Sequence, residues 1–308
     1  MASDRIRPVH RHRVVLAFAL LAVGACGGGG DAPSTTVDHT VTTGGATGTL
    51  PAGTVAIRAS SDIGLGAERL LIGLGDATGR RLGSPHQALS VTVYPEGDPG
   101  ASMTTDGTWM WIVEGVTGLY RADFDFGQAG TWVAEVTPDD GDPLEPFAFT
   151  VQDDPSAPGL GEPAPAPPTP TLDGSTIEEL SSDPDPDPAF YRLSLDQAIG
   201  NGSTTVVVFS TPAFCVSGAC GPLLDNVKAI APEHPEVQFV HVEVFTGLTD
   251  PDFAPDAAHL APAVGPDWYN LPSEPWVFVV DGDGTVVARF EGVLDQAELD
   301  AVLDAVLG

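Results

Sequence analysis

Two cysteines five positions apart, Cys215 and Cys220, are the residues of this chain best suited to covalent chemistry. They lie in Phe209-Ser210-Thr211-Pro212-Ala213-Phe214-Cys215-Val216-Ser217-Gly218-Ala219-Cys220-Gly221-Pro222. An apolar, β-like run from Thr204 to Phe209 precedes them, and a helical pattern starts near Pro222. A thiol at such a junction sits near the positive end of the helix dipole, which stabilises a thiolate and favours thiol–disulfide exchange. If both cysteines lay in regular helix, their Cα atoms would be roughly 8 Å apart, too far for a disulfide. A helix beginning near Gly221, with Pro222 in its first turn, leaves both in the preceding loop. Gly218 then lets that loop fold back and the bond close. In this arrangement Cys220 is the better placed of the two for the dipole and Cys215 the more remote.

The elements that must hold this loop occupy roughly residues 176–308. A short helical piece at Asp196–Ile199 is capped by Ser194, Thr205–Phe209 reads as a buried strand, and Pro222–Ile230 as a helix. Val237–Val244 reads as a second strand and Asp256–Val264 as a helix. Trp276–Val280 and Thr285–Phe290 form a hairpin across Asp281-Gly282-Asp283-Gly284. Leu294, Leu299, Val302, Leu303 and Val306 make one face of a closing helix.

Three features of this half resemble thioredoxins: the strand–cysteine pair–helix order, the stretch Leu271-Pro272-Ser273-Glu274-Pro275-Trp276-Val277, and the tail Asp283-Gly284-Thr285-Val286-Val287-Ala288-Arg289-Phe290-Glu291-Gly292. The tail is similar to the closing hairpin of TlpA-like extracytoplasmic thioredoxins. The resemblance implies an α/β thioredoxin-like fold and a cis bond at Glu274–Pro275 beside the cysteines. It also implies a redox role for Cys215, Cys220 and Pro275, with Cys215 attacking and Cys220 resolving. The chain departs from the family in having four residues between the cysteines rather than two. Phe214 stands where the family has tryptophan, and no buried acid beneath the site is evident.

Residues 51–153 read as all β. Candidate strands are Thr54–Ala59, Ala67–Leu74, Ala88–Tyr94, Thr108–Glu114, Gly118–Phe124, Gly130–Val136 and Pro146–Val151. Seven short strands at this spacing predict an immunoglobulin-like β-sandwich, here without a cysteine. The pair Gly118-Leu119-Tyr120 and Gly130-Thr131-Trp132 resembles the hairpin of small extracytoplasmic sandwich domains of the YtkA and FixH families. Tyr120 and Trp132 are expected in the core and His86 in solvent. Residues 154–175 are proline-rich and predict a semi-rigid spacer between the two domains.

The third cysteine, Cys26, belongs to a different chemistry. Arg5, Arg7, Arg11 and Arg13 precede an apolar run, Val14 to Ala25, too short to span a bilayer as a mature helix. Val23-Gly24-Ala25-Cys26 resembles the lipobox of bacterial lipoproteins. That implies a signal peptide at 1–25, lipidation of Cys26, a flexible tether over 26–50, and anchoring at the extracytoplasmic face of the cell membrane. The chain has 12 basic and 43 acidic residues, a net charge of −31. Four of the basic and one of the acidic residues fall within 1–25, so the remainder carries −34. So acidic a chain excludes nucleic acid as a partner and leaves membrane attachment to the lipid.

Three functions are compatible with these residues. The first is a thiol–disulfide oxidoreductase using Cys215 and Cys220 on extracytoplasmic thiol or disulfide proteins, with no cofactor. The second is a thioredoxin-like binding domain whose disulfide is structural. The third is copper handling like that of the Sco family, with Cys215, Cys220, His241 and His259 as ligands and His234 as a further candidate.

Overall fold

The computed structural model describes residues 50–308. Its N-terminal part is all β: β1 (Val55–Arg58), β2 (Gly66–Gly75), β3 (Arg81–Leu82), β4 (Leu89–Pro95), β5 (Met103–Asp106), β6 (Thr108–Val113), β7 (Thr117–Phe126), β8 (Gly130–Pro138) and β9 (Phe147–Val151). These strands form two antiparallel sheets, β1-β2-β7-β6 with β3 on β2, and β5-β4-β8-β9. Side chains alternate across each strand, so every second residue points to one shared core. Leu70, Ile72 and Leu74 of β2 and Tyr120, Ala122 and Phe124 of β7 meet Val91 and Val93 of β4 and Trp132, Ala134 and Val136 of β8 there. Tyr120 and Trp132 are core residues, and His86 is exposed. The strands β3 and β5 are not evident in the sequence. One is two residues long, and the other, Met103-Thr104-Thr105-Asp106, is held by pairing with β4 rather than by apolar content.

The C-terminal part is built on a four-stranded sheet of order β11-β10-β12-β13, with β10 (Thr205–Ser210), β11 (Gln238–Glu243), β12 (Trp276–Val280) and β13 (Val286–Glu291). The β10–β11 pair is parallel, and β10–β12 and β12–β13 are antiparallel. All six residues of β10 are buried, as a central strand covered on both faces requires. On one face, Val206 and Val208 pack with Leu223, Leu224 and Val227 of the helix Cys220–Ile230 and with Leu299 and Leu303 of the helix Gln296–Leu307. On the other, Val207 and Phe209 pack with Tyr269, Trp276, Phe278 and Val264. The helix expected over Asp256–Val264 is instead a loop ending in one 3₁₀ turn, Pro262–Val264. Asp256 Oδ1 caps a turn by accepting from the Ala258 N–H, and Pro262 lacks the donor a helix would need there.

Residues 154–175 do not hold the two parts apart. Ala157 and Ala164 are buried in the core beneath β10 and β12. The Gly161 and Ala164 N–H groups donate to Val286 O and Gly284 O, and the Leu172 N–H donates to Tyr191 O. Proline-rich chain cannot pair its own backbone, but its remaining donors and acceptors pair well with the edge of a neighbouring hairpin.

The two parts join through buried charge. The guanidinium of Arg289 in β13 is 8 % exposed and bonds Asp62 Oδ2 at 3.2 Å, Glu68 Oε1 at 2.6 Å and Asp62 O at 3.1 Å. Glu298 accepts from Arg69 Nη2 at 3.1 Å and from Arg121 Nη1 at 2.7 Å. Burial pushes the Glu68 and Glu298 carboxyls up, against the pull of their arginines. Ser61 donates through its backbone and its hydroxyl to Glu291, which also accepts from Ser273 Oγ at 2.7 Å. An apolar patch of Leu71, Met110, Leu119 and Val293 completes the junction. The outer face of β2 and β7 is therefore buried as well, which explains the unbroken run Leu70-Leu71-Ile72.

Candidate redox site

The end of β10 runs into the cysteine loop. Phe214 N–H donates to Thr211 O and Gly218 N–H to Cys215 O, so residues 215–218 form a tight turn. Gly218 adopts φ +74°, the left-handed region that glycine enters without penalty. That reversal brings the Cys215 and Cys220 Cα atoms to 5.9 Å, and the two sulfurs are bonded as a disulfide. The separation falls in the ordinary range for such a bond, which regular helix could not provide across five positions.

The helix begins one residue earlier than the sequence suggests, at Cys220 itself, with Pro222 at its third position. This reverses the expected ranking of the cysteines. The Cys220 N–H, one of the helix's free N-terminal donors, lies 3.2 Å from Cys215 Sγ and donates to it. Ser217 Oγ is also 3.2 Å from that sulfur. Cys215 is partly exposed, whereas Cys220 is fully buried. The sulfur over the helix N-terminus is thus that of Cys215, carried back over it by the loop.

Two neighbours were not legible in the sequence. The first is Glu243, at the C-terminal end of β11 and opposite Ser210 in the ladder. It is 6 % exposed, and burial pushes its carboxyl up while hydrogen bonds from Ser182 oppose the rise. Ser182 Oγ donates to Glu243 Oε2 at 2.7 Å and accepts from the Ala213 N–H at 3.2 Å, tying the buried acid to the cysteine loop. The second is an aromatic cluster. Phe214 packs on Phe253 at 5.1 Å and on Phe245 at 6.3 Å, and Phe253 packs on His259. Only the Phe245-Thr246-Gly247 stretch directly after a strand hinted at a loop at this end of the sheet.

The Glu274–Pro275 bond is cis and directly precedes β12. Ser273 and Glu274 line one groove with Ser217 and Ala219, so this segment and the cysteine loop face each other.

The histidines are placed elsewhere. His241 is buried in β11 with both ring nitrogens occupied. Tyr191 Oη lies 2.7 Å from Nδ1, and Ser210 Oγ lies 2.8 Å from Nε2. Nε2 is also 3.2 Å from Ser210 O; a carbonyl only accepts, so the ring proton belongs on Nε2. Burial lowers the His241 pKa to about 4, so the ring is a neutral core bridge. His259 pairs with Asp256 in the loop, at 3.0 Å. Among the described residues, the group able to share a metal is His234, Asp300 and Asp304, which includes neither cysteine. The two cysteines, His241 and His259 are not brought together as one ligand set.

Cys26 lies outside the described residues. No helix among those described is long and apolar enough to cross a membrane.

A comparison with curated proteins finds no match. A family model described as a thioredoxin-like domain matches residues 191–307, which include β10 to β13, the cysteine loop and both longer helices. The C-terminal part of this chain is therefore a thioredoxin-like domain, and it carries the Cys215–Cys220 disulfide at its strand-to-helix junction.

Proposed function

We propose that this protein is a thiol–disulfide oxidoreductase, tethered to the extracytoplasmic face of the cell membrane by a lipid on Cys26. The observation that carries the redox reading is the asymmetry of the disulfide: Cys215 is partly open and accepts the Cys220 N–H, and Cys220 is buried. A substrate thiolate attacks Cys215 Sγ in line with the S–S bond. That bond breaks, and its electron pair leaves on Cys220 Sγ. A mixed disulfide to Cys215 results. A second substrate thiolate then attacks the substrate sulfur of that mixed disulfide and releases Cys215 as a thiolate. Two substrate thiols have become a disulfide, and two protons, exchanged through solvent, end on the Cys215 and Cys220 sulfurs, so the protein disulfide has become a dithiol. The reverse sequence reduces a substrate disulfide. The helix N-terminus and the Cys220 N–H favour negative charge on the Cys215 sulfur, so this is the thiolate that attacks in the reductive direction.

A redox titration of the full chain against dithiothreitol, read by thiol alkylation, tests this reading. A potential in the range of about −120 to −270 mV, with a mixed disulfide trapped in Cys220→Ser, supports exchange. A potential below about −300 mV marks a structural bridge and overturns it.

The tether rests on the basic N-terminal residues, the short apolar run and Val23-Gly24-Ala25-Cys26. Detergent phase partition of the wild type and Cys26→Ala tests it: the wild type enters the detergent phase and the variant does not. Equal partition of both into water sinks it.

A further inference from the structure

Beside the disulfide lies a groove of about 380 Å³ whose walls come from both parts of the chain. Ile57, Ile112 and Leu119 of the N-terminal sheet form one wall; Ser217 and Ala219 of the cysteine loop and Glu274 form the other. Ser217 Oγ is itself 3.2 Å from Cys215 Sγ, so the groove ends one side chain away from the more open sulfur. Large apolar side chains stand exposed around this region. Ile57 on the edge strand β1 is 53 % exposed, and Val216, between the two cysteines, is 97 % exposed. The groove also holds two carboxylates in different states. Glu291 is satisfied by Ser61 and Ser273. Glu274 is half-buried, and its carboxylate accepts no hydrogen bond among the described residues. Arg81, on the same groove, is exposed and makes no ion pair with Glu274.

We infer that this groove selects the redox substrate: an extended polypeptide whose cysteine is flanked by an apolar side chain, seated against Ile57, and by a lysine or arginine, paired with Glu274. This rests on the exchange reading and deepens it. The N-terminal domain is then a specificity wall rather than a separate module. The buried Arg289 and Glu298 pairs fix that wall, so it is already in place before substrate arrives. The apolar surface supplies affinity, and an unpaired, partly desolvated carboxylate discriminates by charge. Glu274 lines the groove together with Ser217 and Ala219, so a cation paired with Glu274 brings the neighbouring substrate residue beside the cysteine loop.

Binding to the full, oxidised chain tests this without relying on exchange. Fluorescent ten-residue peptides carry serine in place of cysteine, so no disulfide can form, and anisotropy reads their affinity. One peptide has leucine before the serine and lysine after it, one has leucine and glutamate, and one has serine and lysine. The leucine–lysine peptide binds about tenfold tighter than either of the others. Glu274→Gln reduces the lysine-over-glutamate preference to about twofold, and Ile57→Asn reduces the leucine-over-serine preference similarly. Each preference is a ratio measured on one protein, so partial loss of folded material cancels. Equal binding of all three peptides overturns the inference, as do preferences that survive both substitutions. Self-association abolished by Ile57→Asn, with no peptide binding, overturns it in favour of a second copy of this chain. The redox titration fails separately: a potential below the structural threshold removes the exchange reading whatever the peptides do.

Discussion

The backbone N–H of Cys220 points at the sulfur of Cys215 across 3.2 Å. One cysteine therefore supplies the electrostatic support of the other, because the loop between them returns over the start of the helix. In a shorter motif the attacking sulfur meets the helix end directly. Here the turn at Gly218 restores the same relationship over a longer loop.

This relationship predicts unequal thiols. After reduction, Cys215 reacts with iodoacetamide more than about tenfold faster than Cys220, because it is both more open and better placed for a thiolate. Mass spectrometry of peptides sampled over time reads the two rates. Faster labelling of Cys220 would reverse the assignment of the attacking sulfur.

Gly218 matters for its backbone and not for space, since a Cβ placed there meets nothing within 4 Å. Gly218→Val costs about 1–2 kcal/mol of torsional strain at φ +74°. The closed loop bears that cost, so the disulfide becomes easier to reduce, by roughly 20–40 mV. Gly218→Asn stays near wild type, because asparagine tolerates this region. Equal potentials for the glycine and valine proteins would show that the turn does not constrain the bond.

Arg289 is the buried cation of the junction. Arg289→Met leaves Asp62 and Glu68 without their partner and lowers stability by about 3–5 kcal/mol. Adding Asp62→Asn and Glu68→Gln recovers part of the loss, because the uncompensated charges are then gone. Urea unfolding of the single and triple variants measures both. A single variant within about 1 kcal/mol of wild type would mean that the network is solvated rather than buried.

His241 makes stability depend on acid. Its pKa is lowered to about 4 in the fold and returns to the ordinary histidine value on unfolding. Between those values the unfolded chain binds a proton that the folded chain does not, so stability rises with pH across the window and is lost as pH falls through it. The loss from this one group reaches ~3 kcal/mol by pH 4. Glu243, whose carboxyl is raised by burial, works in the opposite direction near the acid end, so the test is a difference. Thermal melts at pH 7 and pH 4.5 lose less stability in His241→Asn than in wild type. An identical loss in both would remove His241 as the cause.

Much of the C-terminal part was legible because its signals are local. An unbroken apolar run made β10 a central strand, and a helical face marked Gln296–Leu307. Ser194 and Gln197 form a capping box at a helix of only four residues. The proline before Trp276 was placed from its position alone, and the strands β1, β2, β4 and β6 to β9 followed from alternation and turn residues. These are properties of neighbouring residues, so composition and spacing record them.

The relations that make the site are long-range, and only tertiary structure decided them. Whether Cys215 or Cys220 meets the helix dipole depended on a helix start shifted by one residue and on how a loop folds over it. Glu243 joined the cysteine loop through Ser182, 61 positions away in the chain. Residues 154–175 looked like a spacer because proline-rich composition reports stiffness and says nothing of what lies alongside. Their backbone found partners on the β13 hairpin. Arg289 and Asp62 stand 227 positions apart and read in sequence as ordinary surface charges. Burial turned them into a junction, because a desolvated charge must be paired, and that pairing places an apolar sheet beside the disulfide.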